Sequence, residues 1–354
     1  MLIFGRALIF IRAKKIGGAA GVQPSYLLRV SHILTSAGAL LLLTAFNLTL
    51  MLGCGDTKLG NWYIEDSEEE VVDDTEIEVV GQDILNDASG VAVYGSFLYV
   101  TDPNRDSLFK LDQGYVGTAD EQVLEVGVLG DGELEFDSPA DVVVDSDGDI
   151  YVADTGNARI QKISRDGIFI KEWGSDILQA PVGLFMTANG YLYVTDKNIG
   201  KVFKYSSEGI KEAEEYGLEP NTTANGSLST PTDVVVGING DIYIVNSGND
   251  RIEVFGPDGT YKFNFNEDSL GDPAFLSPYS IAIDSSGRIY VSDIDHEEVL
   301  RFDSEGNYKS SIDGAGDTGL FNIPMGIDTS GTWLFVAESG SKRVRKVPFS
   351  EFPQ

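Results

Sequence analysis

The sequence predicts an all-β fold, a six-bladed β-propeller of four-stranded antiparallel blades in which an N-terminal strand closes the last blade. Three observations lead there. One unit recurs six times at a period of about 40–50 residues. Each unit carries short strand signals separated by turn signals. The last copy is one strand short, and a strand without a partner stands before the first.

The clearest unit runs from Ser138 to Gly174, and further copies start at Ala88, Ala180, Thr230, Ser277 and Ile323. Aligned on one aromatic position, the copies place Tyr99, Tyr151, Tyr193, Tyr243, Tyr290 and Phe335 in register. In the second copy the strands read Val142–Asp145, Ile150–Ala153, Ile160–Ser164 and Phe169–Trp173. Asp147-Gly148 and Asp166-Gly167 mark the first and third turns, where glycine supplies the positive φ of a tight hairpin. A lone blade cannot bury both faces, so each must pack on its neighbours. The stretch Thr75–Gly81 (TEIEVVG) aligns with the fourth strand FIKEWG and supplies the one that the last copy lacks. The propeller is thereby expected over 75–354.

Before it, 1–53 reads as an export segment. Ile33 to Leu52 carries no charge, follows Arg29 and ends at Gly53-Cys54. A basic residue, an apolar run and small residues at the cut describe a secretory signal. The tail LMLGC resembles the lipobox of bacterial lipoproteins, which implies lipidation of Cys54 and cleavage before it. The alternative is a single uncleaved transmembrane anchor, since 20 residues can span a bilayer. Both readings export the acidic part to the periplasm or cell surface. The polar, acidic stretch 54–74 reads as a tether held extended by like charges.

Composition narrows the function. The chain has 25 Lys+Arg against 56 Asp+Glu, and all five basic residues before Cys54 stand without an acidic one. The part after the cut therefore carries 20 basic and 56 acidic side chains. Such a surface repels phosphate backbones and excludes nucleic acid as a partner. One cysteine excludes an intramolecular disulfide framework, and two histidines, His32 and His296, exclude a multi-histidine metal site.

The P-x-[GD]-[VIL] starts at Pro139, Pro181, Pro231, Pro278 and Pro324, the [IL]-Y-V-x-D cores and the Gly-rich, Phe-containing spacers (GDGELEFDSP, GDPAFLSP, GAGDTGLFNIP) resemble the NHL-repeat family. The resemblance covers Thr75 to Ser350 and implies the propeller. It says little of function, because one fold hosts many activities. The family's amidating lyases use histidine-ligated zinc, and with His296 alone in the exported part that chemistry does not carry over. Gluconolactonase-like propellers hold calcium in the central channel with carboxylate and Asn ligands.

The face where the first strand starts and the second ends is where such propellers usually bind. There the residues after Pro-x read Gly90, Asp141, Gly183, Asp233, Ser280 and Gly326. Asp141 and Asp233 depart from the family's glycine. They are read either as carboxylates capping nearby backbone N–H groups or as a pair bridging a cation or amine. Asp102, Asp154, Asp196, Asn246, Asp293 and Glu338 end the second strands, with Arg159, Lys201, Arg251 and Arg343 five residues on. This repetition reads as a blade-internal device, a loop-turning side chain paired with a base. Asp145, Asp147 and Asp149 echo half a calcium loop, but lie at a turn on the opposite face and read as turn chemistry. His296 falls in a loop where other copies place Gly or polar residues, and is a candidate for a ligand face.

Two functions follow. The leading one is a non-catalytic, lipid-anchored surface module that binds a protein, peptide or glycan, with its negative charge steering cationic partners. It needs no cofactor. The other is a calcium-dependent hydrolase or lactonase using Asp141 and Asp233 in the channel.

Overall fold

A computed structural model describes residues 2–4, 7–16, 25–34, 78–114, 123–218, 222–266, 274–313 and 321–353. The chain divides into two units, Met1–Asp73 and Asp74–Gln354. In the first, strands Leu2–Phe4, Ala7–Ile16 and Ser25–Leu34 form an antiparallel sheet. The rest of the apolar run after Leu34, Cys54 and the tether lie outside the described residues. No helix among the described residues is long and apolar enough to cross a membrane.

The second unit is the six-bladed propeller. Its blades, numbered in chain order, begin with the innermost strands Val91–Tyr94, Pro139–Val144, Pro181–Met186, Pro231–Val236, Pro278–Ile283 and Pro324–Ser330. In blades 1–5 the order runs outward in sequence, and every blade is antiparallel throughout. Proline opens five of the six inner strands because the first residue needs no ladder donor. It pairs with the acidic or amide residue ending the second strand, as Pro139 does with Asp154 and Pro231 with Asn246. The face holding these strand ends is called upper here; the face of the Asp-Gly hairpins is lower.

Burial falls outward along a blade. In blade 2, Ile150–Asp154 and Arg159–Ile163 are buried at every residue, whereas Phe169–Trp173 alternates with solvent. The hairpins use glycine where φ is positive, at +86° for Gly148 and +82° for Gly167. The aligned aromatics are all in the core.

Six apolar clusters each straddle one blade–blade seam. Tyr151 and Ile160 of blade 2, for example, pack with Leu192 and Phe203 of blade 3. Phe335 and Val344 of blade 6 pack with Leu98 and Phe109 of blade 1, which closes the ring. The outermost strand of blade 6 is Glu78–Val80, paired with Arg343–Pro348 in the register Val344↔Val80. It lies inside the stretch expected for the closing strand.

Candidate functional site

The inner strands present one unpaired edge to the central channel, and buried N–H groups there need acceptors. The structure supplies them in two ways that alternate around the ring. Leaving blades 1, 3 and 5, a second-strand hydroxyl bridges the seam. Gly90 N–H donates to Thr101 Oγ1 (2.8 Å), whose hydroxyl donates to Ala140 O of blade 2 (2.9 Å). Thr195 does the same between Gly183 N (2.7 Å) and Thr232 O (3.2 Å). Ser292 does it between Ser280 N (3.0 Å) and Met325 O (2.7 Å).

Leaving blades 2, 4 and 6, a carboxylate reaches across instead. Asp141 accepts from Leu184 N–H of blade 3 at 2.8 Å and from its own following amide. Asp233 accepts from Ile281 N–H of blade 5 (2.9 Å), the Ser280 hydroxyl (2.6 Å) and Val234 N–H (2.7 Å). Asp328 accepts from Val93 N–H of blade 1 (2.8 Å) and Thr329 N–H (2.7 Å). Each carboxylate thus clasps two blades. Glycine flanks the clasps because space is lacking: a Cβ on Gly90 would lie 2.6 Å from Asp141 Cα, and one on Gly183 2.5 Å from Asp233 Cα.

The three carboxylates share a cavity of about 140 Å³ on the channel axis. At Asp141 and Asp233 the upper channel holds a neck of about 10 Å³, lined also by Tyr279, with room for about one water. The lower lining residues Val93, Val144, Met186 and Ile283 keep partial exposure, while Val91, Val142, Leu184 and Ile281 above them are buried. Burial pushes the Asp233 carboxyl up to about 7 and Asp328 up to about 6. Burial, then the charge of Asp233, raises Asp141. The Tyr279 phenol is pushed to about 12, first by burial and then, against its bond to Ser89, by Asp141 and Asp233.

The structure places Asp141 and Asp233 along both the neck and the cavity beneath it, not on an open upper mouth. His296 does not join them. It sits 38% exposed in its side chain, with its N–H on Asp293 Oδ1 (3.0 Å) and Nδ1 3.7 Å from Asp293 Oδ2, and it lines neither part of the channel. Asp145 is a turn residue, accepting from Asp147 N, Asp149 N and the Tyr151 hydroxyl.

The device at the second-strand ends needs one correction. The pairing with a base five residues on holds for Asp154–Arg159 (2.8 Å) and Glu338–Arg343 (2.6 Å). In blade 4, Arg251 pairs instead with Glu253, which in turn accepts from Asn246. Lys201 turns to Glu215 (3.8 Å), while Asp196 is satisfied by Gln179, Ala180, Asn198 and Ile199 N–H groups. The third strand alternates in the same way. Blades 2, 4 and 6 carry buried polar Gln161, Glu253 and Arg345 where blades 1, 3 and 5 carry Phe109, Phe203 and Leu300. In the polar blades the compared position is an arginine, and Arg159 also binds the carbonyls of Asp131, Gly132 and Glu135.

Asp328 and Tyr279 were not singled out by sequence. Asp328 stands two residues further down its strand than the position compared between copies. The signal for the alternation was nevertheless there: the x of Y-V-x-D reads Thr101, Ala153, Thr195, Val245, Ser292, with Ala337 in the variant sixth copy.

Among calcium's requirements are six to eight oxygen ligands. The channel carboxylates already accept from backbone and hydroxyl donors. Among the described residues, no three His, Cys, Asp or Glu side chains are grouped so as to hold a metal ion. Among the described residues, the donor set does not fit a calcium centre.

Comparison with known proteins agrees on the fold. An NHL repeat family model matches residues 136–163, the heart of blade 2. The chain is 30% identical over 142 residues to peptidylglycine alpha-amidating monooxygenase of Rattus norvegicus, covering 38% of this chain and 14% of that one. The chain thus spans about a seventh of that relative. Among solved structures, virginiamycin B lyase from Staphylococcus aureus with quinupristin superimposes with a TM-score of 0.55 at 15% identity, over 77% of this chain and 99% of its own. A gluconolactonase from Xanthomonas campestris gives 0.54 at 16%, over 76% and 87%. At such identity these likenesses show the fold alone.

Proposed function

We propose that this six-bladed propeller, which carries an NHL repeat, is a non-catalytic binding module, exported and lipid-anchored through Cys54, that takes a protein, peptide or glycan partner on its upper face. The observation that supports this reading is the engagement of the channel carboxylates. Asp141, Asp233 and Asp328 hold seams together, and the neck beside Tyr279 has room for little more than a water. What remains on the upper face is a set of loops over a rigid ring, with carboxylates such as Asp131 and Glu133 turned to solvent. A partner with basic groups is the class that this charge would favour, through faster encounter.

The expected result is salt-sensitive association with cationic peptides. Asp131→Lys together with Glu133→Lys should slow association with an oligolysine probe by about tenfold at low salt, leaving dissociation nearly unchanged. Surface plasmon resonance at two ionic strengths measures this. Equal association rates for wild type and variant would remove the upper face from the account.

A further inference from the structure

A buried arginine in this chain ordinarily has an acid beside it, as Arg159 has Asp154 and Arg345 has Glu338. Arg301, on the third strand of blade 5, departs from that rule. It is only 8% exposed, yet among the described residues it makes no ion pair. Its Nη2 donates to Pro353 O (2.8 Å), its guanidinium lies 5.5 Å from the Phe352 ring centroid, and its Nε has no hydrogen-bond partner. Directly across the ladder stands Ser310, also buried, whose Oγ has no partner either. Opposed residues of an antiparallel pair share a face, so an unmatched donor and an unmatched hydroxyl lie together on one side of the blade. Buried groups of this kind are costly unless something satisfies them.

A comparison of blades explains the missing acid. In blade 2 the same place, opposite Tyr151, belongs to Lys162, which faces Asp145 (3.6 Å) and Asp149 (3.1 Å). In blade 5 the residue aligned with Asp149 is Arg288, and it takes Asp284 for itself at 2.5 Å. Two guanidiniums therefore share one carboxylate beside Tyr290. Burial and then Asp284 push the Tyr290 phenol up, and both guanidiniums pull against that rise. These three groups sum to a positive charge in a chain whose net charge is −31.

We propose that Arg301 and Ser310 form a binding site for a small carboxylate at the blade 5–6 seam, with Arg288 as a second cation nearby. A carboxylate matches the unmatched groups: its oxygens accept from one edge of a guanidinium and from a hydroxyl. Tyr290 and Phe352, which pack together in that seam, supply apolar walls. One negative charge balances two guanidiniums and Asp284 to neutrality, whereas a phosphate dianion leaves an excess beside Asp284. Pro353 is exposed while Phe352 is buried, so the approach to the guanidinium is beside Pro353. The site is separate from the upper-face partner surface and does not depend on it.

The probe is sodium acetate, added to the full-length chain and compared with sodium chloride at equal ionic strength. In about 100 mM acetate the wild type should melt about 2–4 °C higher than in chloride. Arg301→Lys keeps the charge but loses the planar fork, and should weaken acetate binding about tenfold. Ser310→Ala removes only the hydroxyl and should weaken it about fivefold. The Nε–H resonance of Arg301, identified by its loss in Arg301→Lys, should shift saturably as acetate is added to the wild type. If Arg301→Lys does not fold, the salt comparison between wild type and Ser310→Ala still decides. A salt difference undiminished in Ser310→Ala would mean a general effect of the anion on the chain surface. An Nε–H resonance indifferent to acetate would mean that water satisfies the pair, and tighter binding of phosphate than of acetate would mean a tetrahedral oxyanion. Each of these three results overturns the proposal.

Discussion

Gly183→Ala is expected to destabilise the propeller by about 3 kcal/mol or more, a drop in Tm on the order of 10 °C for a domain of this size. Its Cβ would lie 2.5 Å from Thr232 O and from Asp233 Cα, and 2.7 Å from Asp233 Oδ1. Two of these are backbone atoms of the next blade, so no rotamer change relieves the clash. The blade 3–4 seam has to open, which also stretches the bridge from Gly183 N through Thr195 to Thr232 O. Gly331→Ala is the matched control, since nothing lies within 4 Å of its added Cβ. That control carries its own modest backbone cost, because Gly331 has φ of +61°. Thermal melts of both variants check the difference, and a Gly183→Ala melt no lower than that of the control would show that the inner seams are loose.

The second large effect is on pH dependence. Asp233 and Asp328 have carboxyls raised from 3.8 to about 7 and about 6 by burial. A raised acid binds its proton more tightly folded than unfolded. Its stabilising contribution is therefore complete below about pH 4 and is lost as pH rises through 6 and 7. A tenfold difference in proton affinity between the folded and unfolded chain is worth about 1.4 kcal/mol, so the pair should remove several kcal/mol across that window. Denaturant melts of wild type at a series of pH values should show stability declining from acid to neutral. Asp233→Asn, whatever its absolute stability, should decline less steeply, because the other titrating groups are common to both. Parallel curves would mean that the Asp233 carboxyl titrates alike in the folded and unfolded chain, as a solvated group does.

Why the fold was legible and the site only half so follows from distance along the chain. Blade architecture is local: Tyr151, Gly148 and Gly167 lie within one copy, and their spacing repeats in the others. Even the closing strand announced itself, because the last copy was one strand short and Glu78–Val80 fits a fourth-strand pattern. The seams are not local. Asp141 meets Leu184 and Asp233 meets Ile281 across blades, 43 and 48 residues apart. Asp141 and Asp233 could be noticed as departures from glycine, and capping of backbone N–H groups was one of two readings for them. Which N–H groups they reach required the ring. Tyr279 sits at a variable position beside Pro278, so nothing in the repeat pattern marked it as the residue beside the neck. Lys201 was expected to follow Arg159 because its spacing is the same, but its ammonium turns to Glu215 while backbone N–H groups satisfy Asp196.

The alternation has a wider meaning for the ring. Hydroxyl bridges at three seams and carboxylate clasps at the other three make pairs of blades the repeating structural unit. Polar third strands in blades 2, 4 and 6 follow the same period. At the channel end, Asp141 stands between Gly90 and Gly183, and Asp233 between Gly183 and Ser280, so that the two aspartates are never on adjacent blades. That packing is what assigns the channel carboxylates to structure first.

The most direct test of that assignment is the melting temperature of the Asp74–Gln354 unit in calcium and then in EDTA. If Asp141 and Asp233 are seam clasps whose donors are already in place, the two melts coincide, and Asp141→Asn lowers both equally. A rise of several degrees with micromolar calcium, abolished by Asp141→Asn, would contradict the account and make the channel a metal centre.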